Sequence, residues 1–173
     1  MRENLTVEDL FQIAEQVERR GAQFYRQAAD ACADEAGHKL LTNLARMEEE
    51  HGAVFSATRQ DVLRPKGPSR LSPQAEGRFR VVFEALLAGL ARDLQGRFLG
   101  KTSSASILQE AIGFEKDTIV FLTQLSEMLE DPGDRMKIQA ILREELTHVF
   151  QLGSQLLGNR PSQGLSAFIG ASA

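Results

Sequence analysis

The chain has one cysteine, Cys32, in 173 residues. No intrachain disulfide can form, and no cysteine-based zinc site or iron–sulfur cluster can be built within one chain. No apolar run approaches the ~20 residues needed to cross a bilayer. The N-terminus, Met1-Arg2-Glu3-Asn4-Leu5-Thr6, lacks the apolar segment of a secretory signal. Cationic excess is missing as well: the net charge is -4, and no basic run or basic stretch with interleaved aromatics occurs. Nucleic acid and membrane are therefore not expected partners, and a cytoplasmic location is expected. Proline is confined to Pro65, Pro68, Pro73, Pro132 and Pro161.

Between those breaks the apolar residues fall at helical spacing. A hydrophobic fraction of 42% suffices for a core, and the length suits one domain. Helices are expected over about 6–31, 34–62, 73–97, 103–129 and 131–157, forming a bundle within 1–160 and leaving 161–173 as a tail. Thr6 can cap the first helix, with Glu8 and Asp9 suiting the positive end of its dipole. Asp34 leads into the second. Pro65, Gly67 and Pro68 punctuate a loop, and Ser72-Pro73 opens a third helix. Ser103, or Ser106 with Gln109, starts the fourth. Asp131-Pro132 starts the fifth, and Gly158 and Pro161 end it. The third helix, with Phe79, Phe83, Leu86, Leu90 and Leu94, reads as a connector. The other four form two hairpins joined by a long crossover, a topology that brings four inner faces together.

Two of those inner faces carry Glu-x-x-His: Glu48 with His51 among Leu40, Leu41, Leu44, Met47, Val54 and Phe55, and Glu145 with His148 among Met136, Ile138, Ile141, Leu142, Leu152 and Leu156. Residues at i and i+3 share a helix face, so each pair can grip one ion. Thirty residues upstream of each lies another inward Glu, Glu18 beside Ala14 and Val17, and Glu115 beside Ala111 and Ile112. The pattern repeats at an offset of ninety-seven residues, which maps Glu18 to Glu115, Glu48 to Glu145, His51 to His148 and Phe24 to Phe121.

Four buried carboxylates would repel one another, and each costs several kcal/mol if uncompensated. Two divalent cations cancel them, and two neutral imidazoles add one nitrogen each. Bridging carboxylates set the ~3.5–4 Å spacing of two-metal chemistry. Mixed oxygen and imidazole ligands suit iron or manganese. The expected metal ligands are thus Glu18, Glu48, His51, Glu115, Glu145 and His148.

Glu18 with Phe24-Tyr25, Glu48 with His51, Glu115 with Phe121, and Glu145 with His148 are the residues through which the chain resembles the ferritin-like superfamily, and within it the rubrerythrin-like proteins. The resemblance covers about residues 6–157. It implies an all-α fold, a ferritin-like antiparallel four-helix bundle of two hairpins with an extra, shorter helix in the crossover. It also implies a non-haem di-iron oxidoreductase, with two iron ions (or manganese, or a mixed pair), using O2 or H2O2 for peroxide reduction or ferroxidase chemistry in oxidative stress. An external electron donor protein and a homodimer or higher homo-oligomer follow, and helix pairs in this family sometimes swap between subunits. Two departures bear on activity. Full-length rubrerythrins add a four-cysteine rubredoxin domain, for which this sequence has Cys32 alone. Some carry an extra Glu where this chain has Ile112. Iron handling or storage, and a non-enzymatic helical module with a structural metal site, remain alternative readings.

The neighbours have plainer expectations. Glu49, Glu50 and Glu144 are expected on solvated faces, as are Glu15, Glu110 and His38. Cys32 reads as structural, and Met47 and Met136 as core filler. Tyr25 either hydrogen-bonds a ligating carboxylate on another helix, as its family counterpart often does, or is a core tyrosine with a satisfied hydroxyl.

Overall fold

A computed structural model describes residues 5–62, 72–90 and 103–158. Among them are five helices and no strand: α1 (Val7–Ala31), α2 (Glu35–Val62), α3 (Pro73–Leu90), α4 (Ser104–Met128) and α5 (Pro132–Leu156). The expected loop after residue 62, the last turns of the third helix over 91–97 and the tail at 161–173 lie outside the described residues.

Four of the five helix starts show a side-chain cap. Thr6 accepts from the Asp9 amide at 3.2 Å while Asp9 accepts from the Thr6 amide at 2.8 Å, a reciprocal capping box. Asp34 accepts from the Gly37 amide at 2.8 Å. Ser103, rather than Ser106, caps α4 by accepting from the Ser106 amide at 3.2 Å. Asp131 accepts from the Asp134 amide at 2.9 Å, with Pro132 in the first turn of α5. Gly158, with φ of 66°, ends α5 in the left-handed region that only glycine enters cheaply.

α1 packs along α2 and α4 along α5, and the two hairpins meet through α1 against α4 and α2 against α5. Leu10, Phe11, Ala14, Val17, Phe24, Ala28, Leu41, Leu44, Phe55, Leu108, Ala111, Leu122, Leu125, Ile138 and Leu152 fill the space between them. Fully burying a Leu or Phe contributes roughly 1.5–3 kcal/mol, so this stripe holds the bundle together. Rings clamp the α1–α4 contact, with Phe24 stacked on Phe114 at 5.1 Å between centroids and Tyr25 edge-on to Phe114 at 5.9 Å. α3 lies on α4 through Phe79 and Phe83, which meet Phe121 at 5.6 and 6.4 Å. No helix among the described residues is long and apolar enough to cross a membrane.

Two apolar positions depart from the expected inner stripes. Val54 is 40% and Met136 64% exposed. Each sits at the edge of its stripe, where one residue is a 100° step around the helix, and Phe55 and Ile138 keep the inward places.

Candidate metal centre

The six expected ligands lie in one buried cluster within a single chain. Glu18, Glu48, Glu115, Glu145 and His148 have no solvent exposure, and His51 has 3%. Four helices deliver them: Glu18 from α1, Glu48 and His51 from α2, Glu115 from α4, Glu145 and His148 from α5. They form two overlapping groups. In one, ligand atoms of Glu18, Glu48, His51 and Glu145 all lie within 4.8 Å of one another; in the other, those of Glu48, Glu115, Glu145 and His148 do. Glu48 and Glu145 belong to both, which is the arrangement of bridging carboxylates. Glu18 and His51 belong to the first group alone, Glu115 and His148 to the second. The two imidazoles lie nearly parallel, 5.7 Å apart and inclined by 19°.

Each histidine turns Nδ1 towards the carboxylates. His51 Nδ1 is 2.9 Å from Glu145 Oε1 and 3.9 Å from Glu18 Oε2. His148 Nδ1 is 2.9 Å from Glu145 Oε2, 3.2 Å from Glu115 Oε1 and 3.6 Å from Glu48 Oε1.

Whether these residues fit a metal pair can be judged from their unmet bonding. Both oxygens of Glu18, both of Glu48 and Oε2 of Glu115 are buried without a hydrogen-bond partner among the described residues. Buried polar atoms are nearly always satisfied, and each orphan costs about 1–3 kcal/mol. So many acceptors converging on one point are explained by cations. The donor set, four carboxylates and two imidazoles with no thiolate, fits a di-metal site.

Without cations the cluster must hold protons. Burial pushes Glu18 up to about 8, against its contact with Glu48 and helped by the charges of Glu145 and Glu115. Burial likewise raises Glu115 to about 8, against contact with His148. Burial and then the charge of Glu18 raise Glu48 well above the carboxylate range. For the histidines burial opposes the charged form, but the surrounding carboxylates outweigh it. Contact with Glu145 first carries His51 to about 9, and contact with Glu115 and Glu145 carries His148 to about 10. Burial raises Glu145, yet hydrogen bonding to His148 and His51 outweighs it and holds this carboxyl at about 2. One carboxyl group thus contacts both imidazoles, each at 2.9 Å.

Residues around the cluster complete the picture. The Tyr25 hydroxyl donates to Glu115 Oε1 from α1 to α4, so the only tyrosine touches a ligand carboxylate. Burial, then the charge of Glu115, raises that phenol well above its ordinary range. Glu144 lies on a solvated face as expected, its side chain 53% exposed, yet its carboxylate also accepts from His51 Nε2 at 3.0 Å. Helical phase places Glu144 outside the inner face, but its length lets it reach across to α2. Gly21 was not singled out by sequence. A Cβ there would lie 3.0 Å from both Glu48 Oε2 and Phe114 Cζ, so the glycine makes room for the ligand. A glycine in mid-stripe, three residues after Glu18, is the signal that could have found it.

The remaining neighbours stay outside. Glu49 pairs with Arg26 and Glu50 with Arg46 on exposed surface. Glu15 is ion-paired to Arg59 at 2.6 Å. His38 Nδ1 meets the Ala29 carbonyl at 2.8 Å, remote from the cluster. Cys32 is buried beside the α1–α2 turn, with Sγ 3.7 Å from the Asp34 carbonyl.

No family model and no curated protein sequence matches the chain. Among solved structures it is similar to a crystal structure from Thermotoga maritima, described as "a putative ferritin-like diiron-carboxylate protein". The TM-score is 0.67 at 21% identity, covering 94% of this chain and 100% of that one. The fold is therefore ferritin-like, an all-α helical bundle, and its buried Glu and His residues fit a di-metal centre.

Proposed function

We propose that the chain is a non-haem di-iron oxidoreductase of the rubrerythrin-like kind, acting on O2 or H2O2. The observation that carries this reading is the sharing of Glu48 and Glu145 between two four-residue ligand groups, inside a bundle whose structural neighbour is described as a diiron-carboxylate protein. Two ferrous ions held there would supply the two electrons that reduce H2O2 to water or O2 to H2O2. Glu18 and His51 would hold one iron, Glu115 and His148 the other, with Glu48 and Glu145 between them. Tyr25 orients Glu115 through its hydroxyl. The surrounding apolar side chains exclude bulk water, so charge changes at the pair are felt strongly by these ligands. Reduction of the pair by an external donor protein is part of this proposal. Assembly into a homodimer or larger homo-oligomer belongs to the same proposal.

The test is elemental analysis after anaerobic Fe(II) reconstitution, with Glu48→Ala alongside, followed by peroxide and O2 consumption. About two irons per chain, as the two-metal arrangement requires, sharply reduced in the variant and with turnover of peroxide, is the expected result. Fe(II) oxidation by a very large shell-like particle would favour iron storage. Stoichiometric iron without turnover would leave a structural metal clip. No stoichiometric binding would sink the di-iron reading.

A further inference from the structure

The ninety-seven-residue offset makes the two ion positions look equivalent, yet the groups behind the ligands differ. His51 Nε2 donates to the Glu144 carboxylate at 3.0 Å, whereas His148 Nε2 is buried with no hydrogen-bond partner among the described residues. The residue that the offset places opposite His148 is Met47, half-buried and without a carboxylate. The carboxylates differ in the opposite sense. Glu115 Oε1 accepts from the Tyr25 hydroxyl, while both oxygens of Glu18 are without a hydrogen-bond partner among the described residues. The offset matches Tyr25 to Leu122, which has no hydroxyl to give.

Both differences act in one direction. A carboxylate behind a ligating imidazole fixes its tautomer with Nδ1 free, raises its basicity and adds negative charge. A buried imidazole N–H without an acceptor must be desolvated for nothing. A phenol hydrogen bond draws electron density from the oxygen it touches, and Glu18 keeps its own. We propose that the two ion positions are inequivalent: the one held by Glu18 and His51 fills first and binds its divalent cation more tightly than the one held by Glu115 and His148. This inference rests on the di-metal reading above. Glu144 acts through His51 and is a positioning residue; it is not among the ligand atoms of either group.

Mn(II) is the probe, added to metal-free protein and followed by calorimetry and electron paramagnetic resonance. Two binding steps are expected, separated by about 10–100-fold, the usual effect of a group behind a metal ligand. At one equivalent the spectrum is that of an isolated Mn(II); at two it becomes that of a coupled pair. Glu144→Leu weakens the first step by about the same factor and leaves the second. Met47→Glu strengthens the second. His148→Ala retains the first step, which identifies the position. Circular dichroism melting of each variant checks the fold. Two ions bound in one indistinguishable step, or a first step unmoved by Glu144→Leu, overturns this inference and leaves the di-metal reading standing. No Mn(II) or Fe(II) bound at all overturns both.

Discussion

The Tyr25 hydroxyl donates to Glu115 Oε1 across 90 residues of sequence, tying α1 to α4 at the level of the ligand cluster. Both residues are fully buried, so neither group can turn to water instead. Tyr25→Phe keeps the ring contacts with Phe24 and Phe114 and removes only this bond. It is expected to destabilise the metal-free protein by about 0.5–1.5 kcal/mol, the net contribution of one hydrogen bond, since Glu115 Oε1 keeps its 3.2 Å contact with His148 Nδ1. Urea denaturation without metal measures this. An unchanged midpoint would show that the contact with His148 alone satisfies Glu115.

Gly21 and Gly113 make an internally controlled pair. An added methyl at Gly21 meets Glu48 Oε2 and Phe114 at 3.0 Å, whereas one at Gly113 has nothing within 4 Å. Gly21→Ala is expected to destabilise by roughly 1–3 kcal/mol through overpacking, and to weaken metal binding because Glu48 must move. Gly113→Ala, in the exposed middle of α4, is expected to stabilise by roughly 0.5–1 kcal/mol through helix propensity alone. Thermal melts of both, with and without metal, give opposite signs if the cluster is packed against Gly21. Equal effects would argue against that packing.

The metal-free protein should lose stability as pH rises. Glu18 and Glu115 titrate at about 8 when folded against an ordinary value of 4.5. Between those limits the folded state holds more protons than the unfolded state, so stability falls as pH increases. His51 and His148, raised from 6.5 to about 9 and about 10, extend the fall to higher pH. Glu145, lowered to about 2, acts oppositely and contributes stability that is lost only as pH drops from 4.5 towards 2. Calorimetric melting is therefore expected to show a maximum near pH 5 and a decline to pH 9. Bound cations displace these protons, so loaded protein should show a flatter profile and metal affinity should rise with pH. A metal-free melting temperature that climbs from pH 5 to pH 9 would contradict the protonated cluster.

The buried cluster of carboxyl groups and imidazoles is legible because burying charge is costly. Glu18, Glu48, Glu115 and Glu145 stand where apolar residues belong, and that inward phase, met twice at one offset, has few explanations other than a cation site. Helix starts were legible because Thr6, Asp34 and Asp131 are capping residues with one evident use. Phase alone could not show reach. Glu144 adjoins a ligand and points off the inner face, yet two methylenes carry its carboxylate to His51 on the facing helix. Nor does it show the width of each buried stripe: Val54 and Met136, expected inward beside Phe55 and Ile138, are exposed while the latter two are buried. Close approach of Phe114 and Glu48 to the α1 backbone depends on how far apart the helices pack, which no single helix encodes; Gly21 becomes informative only once both neighbours are in place.

Glu48 shows most clearly what the cluster costs and what it is for. It is fully buried, neither oxygen has a hydrogen-bond partner among the described residues, and its nearest charged neighbours include three other carboxyl groups. An apolar residue of similar volume removes the cost of burying a carboxyl group that has no hydrogen-bond partner. Glu48→Leu is therefore expected to melt higher than the parent in the absence of metal. With divalent cation the order should reverse. The parent gains about 2.7 kcal/mol when free ion stands at a hundred times its dissociation constant, while the variant has lost a ligand common to both positions. Melting both proteins with chelator and then with excess Mn(II) reads the crossing directly. A variant that is less stable than the parent even with chelator would mean that Glu48 is held by bonds within the fold, and that its burial is structural.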